Sequence, residues 1–139
     1  MMDLTVERAG PHDFIARNGR GATVRVGRTG APGAFTPGEL LQLAAAACAA
    51  ITTEELVTRR AGPDARIVAE VDHERAAGAR EYQALRVRLR ADLSFLDDST
   101  RERVVHAMRI AVERQCTVSR TVERGAPVRL TIDTGTTQV

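Results

Sequence analysis

The sequence contains no tryptophan and no lysine, and its only aromatic side chains are Phe14, Phe35, Tyr82 and Phe95. It has two cysteines, Cys48 and Cys116, too few for the disulfide framework of a small secreted domain. Neither a signal peptide nor an apolar run long enough to span a bilayer is read, so a cytoplasmic protein without a membrane partner is expected. With so few aromatics, the core must be built from Val, Leu, Ile and Ala. Such a core is thin for a monomer and favours an intimate oligomer. Every basic residue is arginine, and 20 basic against 18 acidic residues leave a net charge of only +2. A nucleic-acid surface normally carries a larger basic excess with aromatics to stack on, so no nucleic-acid partner is expected. The three histidines, His12, His73 and His106, are scattered and no C-x-x-C occurs. Neither a metal site nor a cofactor is therefore expected.

Most prominent in what remains is the stretch from Thr36 to Arg60, TPGELLQLAAAACAAITTEELVTRR. Thr36 can cap the first free N–H groups, Pro37 suits the first helical position, and Glu39 completes a capping box. One long helix is expected, ending at Ala61-Gly62-Pro63. Its alanine-rich middle lets other backbone approach closely, which places the helix at the centre of the fold and Cys48 at its heart.

The whole chain, 1–139, reads as a single domain. Ahead of the helix, apolar and polar residues alternate at Leu4 and Val6, Phe14 and Ala16, and Val24 and Val26. Ala9-Gly10-Pro11 and Asn18-Gly19-Arg20-Gly21 are the turns between three antiparallel strands. GRTGAPGAF is then a mobile or wrapped loop leading into the helix. After the helix, Arg66 to Asp72 and Gln83 to Phe95 read as two strands with one apolar face and with Arg86, Arg88 and Arg90 on the other. A second capping box, Ser99-Thr100-Arg101-Glu102, opens a helix with Val104, Val105, Met108, Ala111 and Val112 inward, and Cys116 at or just beyond its end. Val128 to Asp133 reads as a closing strand. The fold class is α+β with antiparallel sheets.

Two readings of the cysteines stand at this point. Each can be a small buried hydrophobe, as free cysteine commonly is. A thiolate at Cys48 instead needs a cation, because alanine-rich surroundings raise a thiol's pKa. Arg28 in the preceding loop is a candidate, with Arg20, Arg25 and Arg120 as competitors, and Glu39 is the carboxylate nearest in sequence to hold Arg28. Capping alone also explains Glu39.

FTPGELLQLAAAACAAIT, followed about seventy residues later by QCTVSRTVERGAPV, resembles the OsmC/Ohr family of osmotically inducible and organic-hydroperoxide-resistance proteins. The N-terminal FIARNGRGATVRVG also resembles OsmC-like members. The resemblance implies an intertwined homodimer with active sites at the subunit interface. It further implies a thiol peroxidase that reduces organic hydroperoxides, with Cys48 as the attacking thiolate and Cys116 as its disulfide partner. A dithiol, lipoylated protein in some members, would reset the pair. By the same resemblance Arg28 activates Cys48 and a glutamate orients the arginine. The family's glutamate position corresponds to Gly38 here, and Glu39 is displaced from it by about 100° around the helix. The proline that commonly follows the second cysteine is Thr117. A thiol sensor or small-molecule-binding dimer on the same scaffold is the alternative function.

Overall fold

The computed structural model describes residues 3–135. Strands β1 (Thr5–Gly10), β2 (Asp13–Arg17) and β3 (Thr23–Gly27) form an antiparallel sheet in that order. Asn18 makes the β2–β3 turn, its side-chain oxygen accepting from the N–H groups of Arg20 and Ala22 at 2.9 and 3.0 Å. The Gly/Pro-rich loop then folds back on β3: Gly27 N–H donates to the Phe35 carbonyl at 2.9 Å and Phe35 N–H to the Arg25 carbonyl at 3.0 Å. The loop is wrapped onto its own strand. These three strands make their substantial contacts with one another, and Leu4 and Val6 remain exposed.

Helix α1 (Pro37–Ala61) starts as its capping box requires. Glu39 N–H donates to Thr36 Oγ1 at 3.1 Å, and Thr36 N–H donates to Glu39 Oε1 at 2.8 Å. The helix ends at Gly62, whose φ of 96° carries the chain out of helical geometry. Gln42, Ala45, Ala46, Ala49, Thr53 and Val57 form its buried face. Against that face lie strands β4 (Ile67–Glu74) and β5 (Ala84–Ala91) and helices α2 (Asp98–Gln115) and α3 (Thr117–Arg124). Complete burial of Val57 contributes about 1.5–3 kcal/mol. By length and composition α1 is also apolar enough to cross a bilayer, contrary to the sequence reading. Its inner face is nevertheless committed to packing, and Leu41, Leu43 and Ile51 stand exposed.

Strands β4 and β5 pair antiparallel with Val71 opposite Val87 and Asp72 opposite Arg86. The outward arginines meet outward carboxylates: Arg86 binds Asp72 at 2.7 Å and Glu74 at 3.2 Å, and Arg90 binds Glu70 at 2.5 Å. β5 stops at Ala91, short of the expected Phe95, because Asp92 turns the chain by accepting from the Ser94 N–H and hydroxyl at 3.0 and 2.6 Å.

Two further corrections concern the C-terminal third. The cap of α2 is Asp97, not the Ser99 box: its carboxylate accepts from Thr100 N–H at 2.7 Å, leaving Asp98 and Ser99 inside the first turn. Val128 to Asp133 is not a strand among the described residues. Alternation qualifies a segment for a strand, but a continuous ladder makes one, and here only Asp133 stands in an isolated bridge. Val128 and Leu130 are accordingly 93% and 80% exposed.

Candidate functional site

Cys48 lies half-buried in the middle of α1, and Cys116 is fully buried at the corner where α2 ends and α3 begins. Small residues on α1, Ala45 and Ala49 among them, allow that corner to approach the helix. The structure thereby brings the two cysteines, 68 positions apart in sequence, into side-chain contact. Both are free thiols. Cys116 also donates to Ser119 Oγ at 3.1 Å, a contact made possible by the first turn of α3.

The start of α3 sets the electrostatics. The Val118 N–H directed at the Cys48 sulfur is the main cause that holds this thiol below its ordinary pKa. Burial pushes the other way, and the Cys116 thiol, the Thr52 hydroxyl and the Thr117 N–H add to the lowering. Free N–H groups at a helix start favour an anion, so the sulfur faces the end of α3 that suits a thiolate. Among the described residues no charged side chain is a cause of this shift.

The other candidates are elsewhere. Arg28 lines a cleft with Arg8, His12, Phe14, Thr36 and Pro37 at the start of α1. Cys48 is twelve helical residues beyond Thr36, roughly 18 Å along the axis. Glu39 holds the Thr36 N–H and forms no ion pair among the described residues. Of the competing arginines, Arg25 pairs with Asp13 at 3.1 Å, Arg20 is exposed, and Arg120 donates to the Glu113 carbonyl at 3.2 Å.

Sequence reasoning missed α3 and with it Val118 and Ser119. The available signals were Gly125, a glycine C-cap with φ 63°, and the valines at 118 and 122 four positions apart. It also missed a cluster around Gly38. Tyr82 stacks on His73 with centroids 4.2 Å apart, Gln42 Oε1 lies 3.0 Å from His73 Nδ1, and the Tyr82 hydroxyl sits over Gly38. A mostly apolar cleft of about 360 Å³, lined by neither cysteine, opens among Ala49, Val87, Leu93, Met108, Val112 and Ser119, with Arg109 and Glu113 also on its wall. Among the described residues no three His, Cys, Asp or Glu side chains group as metal ligands.

The OsmC-like protein family model matches residues 30–131, which spans both cysteines. An uncharacterised protein of Mycobacterium tuberculosis H37Rv is 38% identical over 132 residues, covering 95% of this chain and 96% of its own. Among solved structures, a candidate osmotic stress induced and detoxification response protein from Psychrobacter arcticus superimposes with a TM-score of 0.64 at 21% identity, covering 87% of this chain and 88% of that one. An OsmC-like protein from Mycoplasma pneumoniae gives 0.64 at 14% identity, covering 88% and 87%. The matched family span and the shared α+β architecture make this chain a member of the OsmC-like protein family.

Proposed function

We propose that the protein is a thiol-dependent peroxidase that reduces organic hydroperoxides to alcohols. The observation that carries this reading is the contact of Cys48 with Cys116 beneath the amide groups of α3. Cys48 thiolate attacks the terminal peroxide oxygen; the O–O bond breaks, the alkoxide leaves and takes a proton, and Cys48 becomes a sulfenic acid. The Cys116 thiol then attacks the sulfenic sulfur, water departs, and a disulfide forms. A dithiol reductant, such as a lipoylated protein, restores both thiols by exchange. The apolar cleft beside Ala49 suits the carbon chain of an organic hydroperoxide better than hydrogen peroxide.

The working unit in this reading is a homodimer in the reducing cytoplasm. Exposed Leu4, Val6, Ile51, Val128 and Leu130 are the surfaces it would cover. Stopped-flow reduction of cumene hydroperoxide with dihydrolipoamide tests the activity. Wild type turns over and Cys48→Ser does not; equal rates for the two discard the reading.

A second reading, a thiol sensor that oxidises once, draws on the engagement of Glu39 in the α1 cap, where it pairs with no arginine among the described residues. A mass loss of about two hydrogens after one equivalent of peroxide, with no multiple turnover, selects it.

A further inference from the structure

Where α2 gives way to α3, Arg114, Gln115, Thr117, Arg120, Thr121 and Arg124 line a small surface cavity of about 340 Å³. Thr117, Arg120, Thr121 and Arg124 follow the i, i+3, i+4, i+7 spacing, so they share one face of α3. Val118 and Ser119 belong to another face of this helix, the one that meets the cysteines. The cavity therefore opens away from the thiols, and neither cysteine lines it.

Three arginines line this cavity with no carboxylate on its wall. Glu113 lines the apolar cleft instead, and Glu123 is absent from the wall. Arg114 and Arg124 form no ion pair among the described residues, whereas Arg25, Arg59, Arg86 and Arg90 each have a carboxylate partner. Arg114 and Arg124 stand in the last turns of α2 and α3, where a cation suits the negative end of a helix. That accounts for each of them singly. It does not account for Arg120, four residues before Arg124, because like charges at that spacing repel.

We infer that this cavity binds a phosphate-class dianion, free or as the head of a phosphomonoester. A guanidinium keeps its charge and offers two parallel N–H groups to the oxygens of one phosphoryl group. Arg120 is already tied to the Glu113 carbonyl at 3.2 Å, so less side-chain freedom is lost when the anion arrives. The Thr117 and Thr121 hydroxyls and the Gln115 amide add neutral donors. No aromatic or purely aliphatic side chain lines the wall to hold an organic body, so recognition falls on the phosphoryl oxygens. Arg114 belongs to α2 and the other two arginines to α3. An anion held by both helices braces the corner from outside. No thiol takes part, so the site stands independently of the peroxidase reading.

The test follows the backbone amide resonances of isotope-labelled protein while inorganic phosphate is titrated at about pH 8, where the dianion dominates. Ionic strength is held constant with NaCl, which removes the effect of general screening. Shifts centred on residues 114–124, with slower hydrogen exchange of the α3 amides, are the expected result. Arg114→Gln with Arg124→Gln should weaken binding by about tenfold or more, and this double variant keeps the Arg120 bond. Arg17→Gln with Arg60→Gln, at two exposed arginines outside the cavity, removes the same net charge and should leave the affinity as in wild type. Adenosine monophosphate separates the two sources: affinity equal to that of phosphate means that the phosphoryl group alone is read, and tighter binding makes it the head of a larger ligand. No shifts at all, shifts spread over the whole surface, or equal weakening by the two double variants would overturn the site. Exchange of α3 amides that saturating phosphate leaves unchanged would overturn the brace.

Discussion

A side chain at position 38 would collide with Tyr82: a Cβ built on Gly38 lies 2.0 Å from the tyrosine hydroxyl oxygen. The glycine that departs from the resembled family's glutamate pattern is therefore half of a pair. Tyr82 is fixed from several directions, stacked on His73, with the Arg75 guanidinium 5.5 Å from its ring centroid and the Gln42 amide 3.5 Å from its hydroxyl. Gln42 itself donates to the Gly38 carbonyl at 3.1 Å, so the cluster is anchored to the first turns of α1.

Gly38→Glu should destabilise the protein by about 1–3 kcal/mol, the usual cost of forcing a side chain into occupied space. The loss should be largely recovered when Tyr82→Ala is added, because the alanine vacates the space the glutamate needs. A double-mutant cycle from urea denaturation measures this coupling. Additive losses in the two single variants would mean that the collision is relieved some other way.

The Cys48 thiol should ionise below the range of an unperturbed cysteine, because the Val118 N–H favours the thiolate. The rate of iodoacetamide alkylation against pH reads this directly. Val118→Pro removes the donor at the second position of α3, where proline is tolerated, and should move the inflection upward. An unchanged inflection in a folded variant would show that some other group lowers this thiol's pKa.

The same shift fixes how stability depends on pH. A folded-state pKa below the unfolded value of about 8.5 means that the folded thiolate binds the fewer protons within the window between the two values. Stability from Cys48 is therefore fully present above the unfolded pKa and is lost as pH falls through the folded one. Wild type compared with Cys48→Ser by urea denaturation should gain ground between pH 7 and pH 9.5. A difference flat across that range would contradict the lowered pKa.

Local chemistry made most of the fold legible. The Thr36–Glu39 box was readable because both of its hydrogen bonds lie within one turn, and the β4–β5 face because alternation with a period of two dictates it. The two cysteines could be singled out as well, but their contact depends on α3, an eight-residue helix with little apolar content that propensity alone does not reveal. Arg28 illustrates a different gap. Proximity in sequence to α1 suggested proximity to Cys48, yet Cys48 stands twelve helical residues past Thr36, roughly 18 Å along the axis of this one chain. The expected strand after Val128 fails for a related reason, since alternation alone supplies no ladder.

That segment yields the sharpest test of assembly. Val128, Leu130 and Ile132 alternate, so in extended backbone they share one face, and they are 93%, 80% and 50% exposed. A segment with one exposed apolar face suits addition to a sheet edge, and in the proposed homodimer the second subunit would supply that edge. Leu130→Arg puts a charge in the middle of the face and gives up about 2 kcal/mol of apolar burial. Because 1.4 kcal/mol is a factor of ten, the dissociation constant should rise by at least that factor. Sedimentation velocity across a dilution series would follow the change, with Arg129→Leu, on the opposite face, leaving the dimer intact. Should Leu130→Arg sediment as wild type does at every concentration, the segment lies outside the subunit contact.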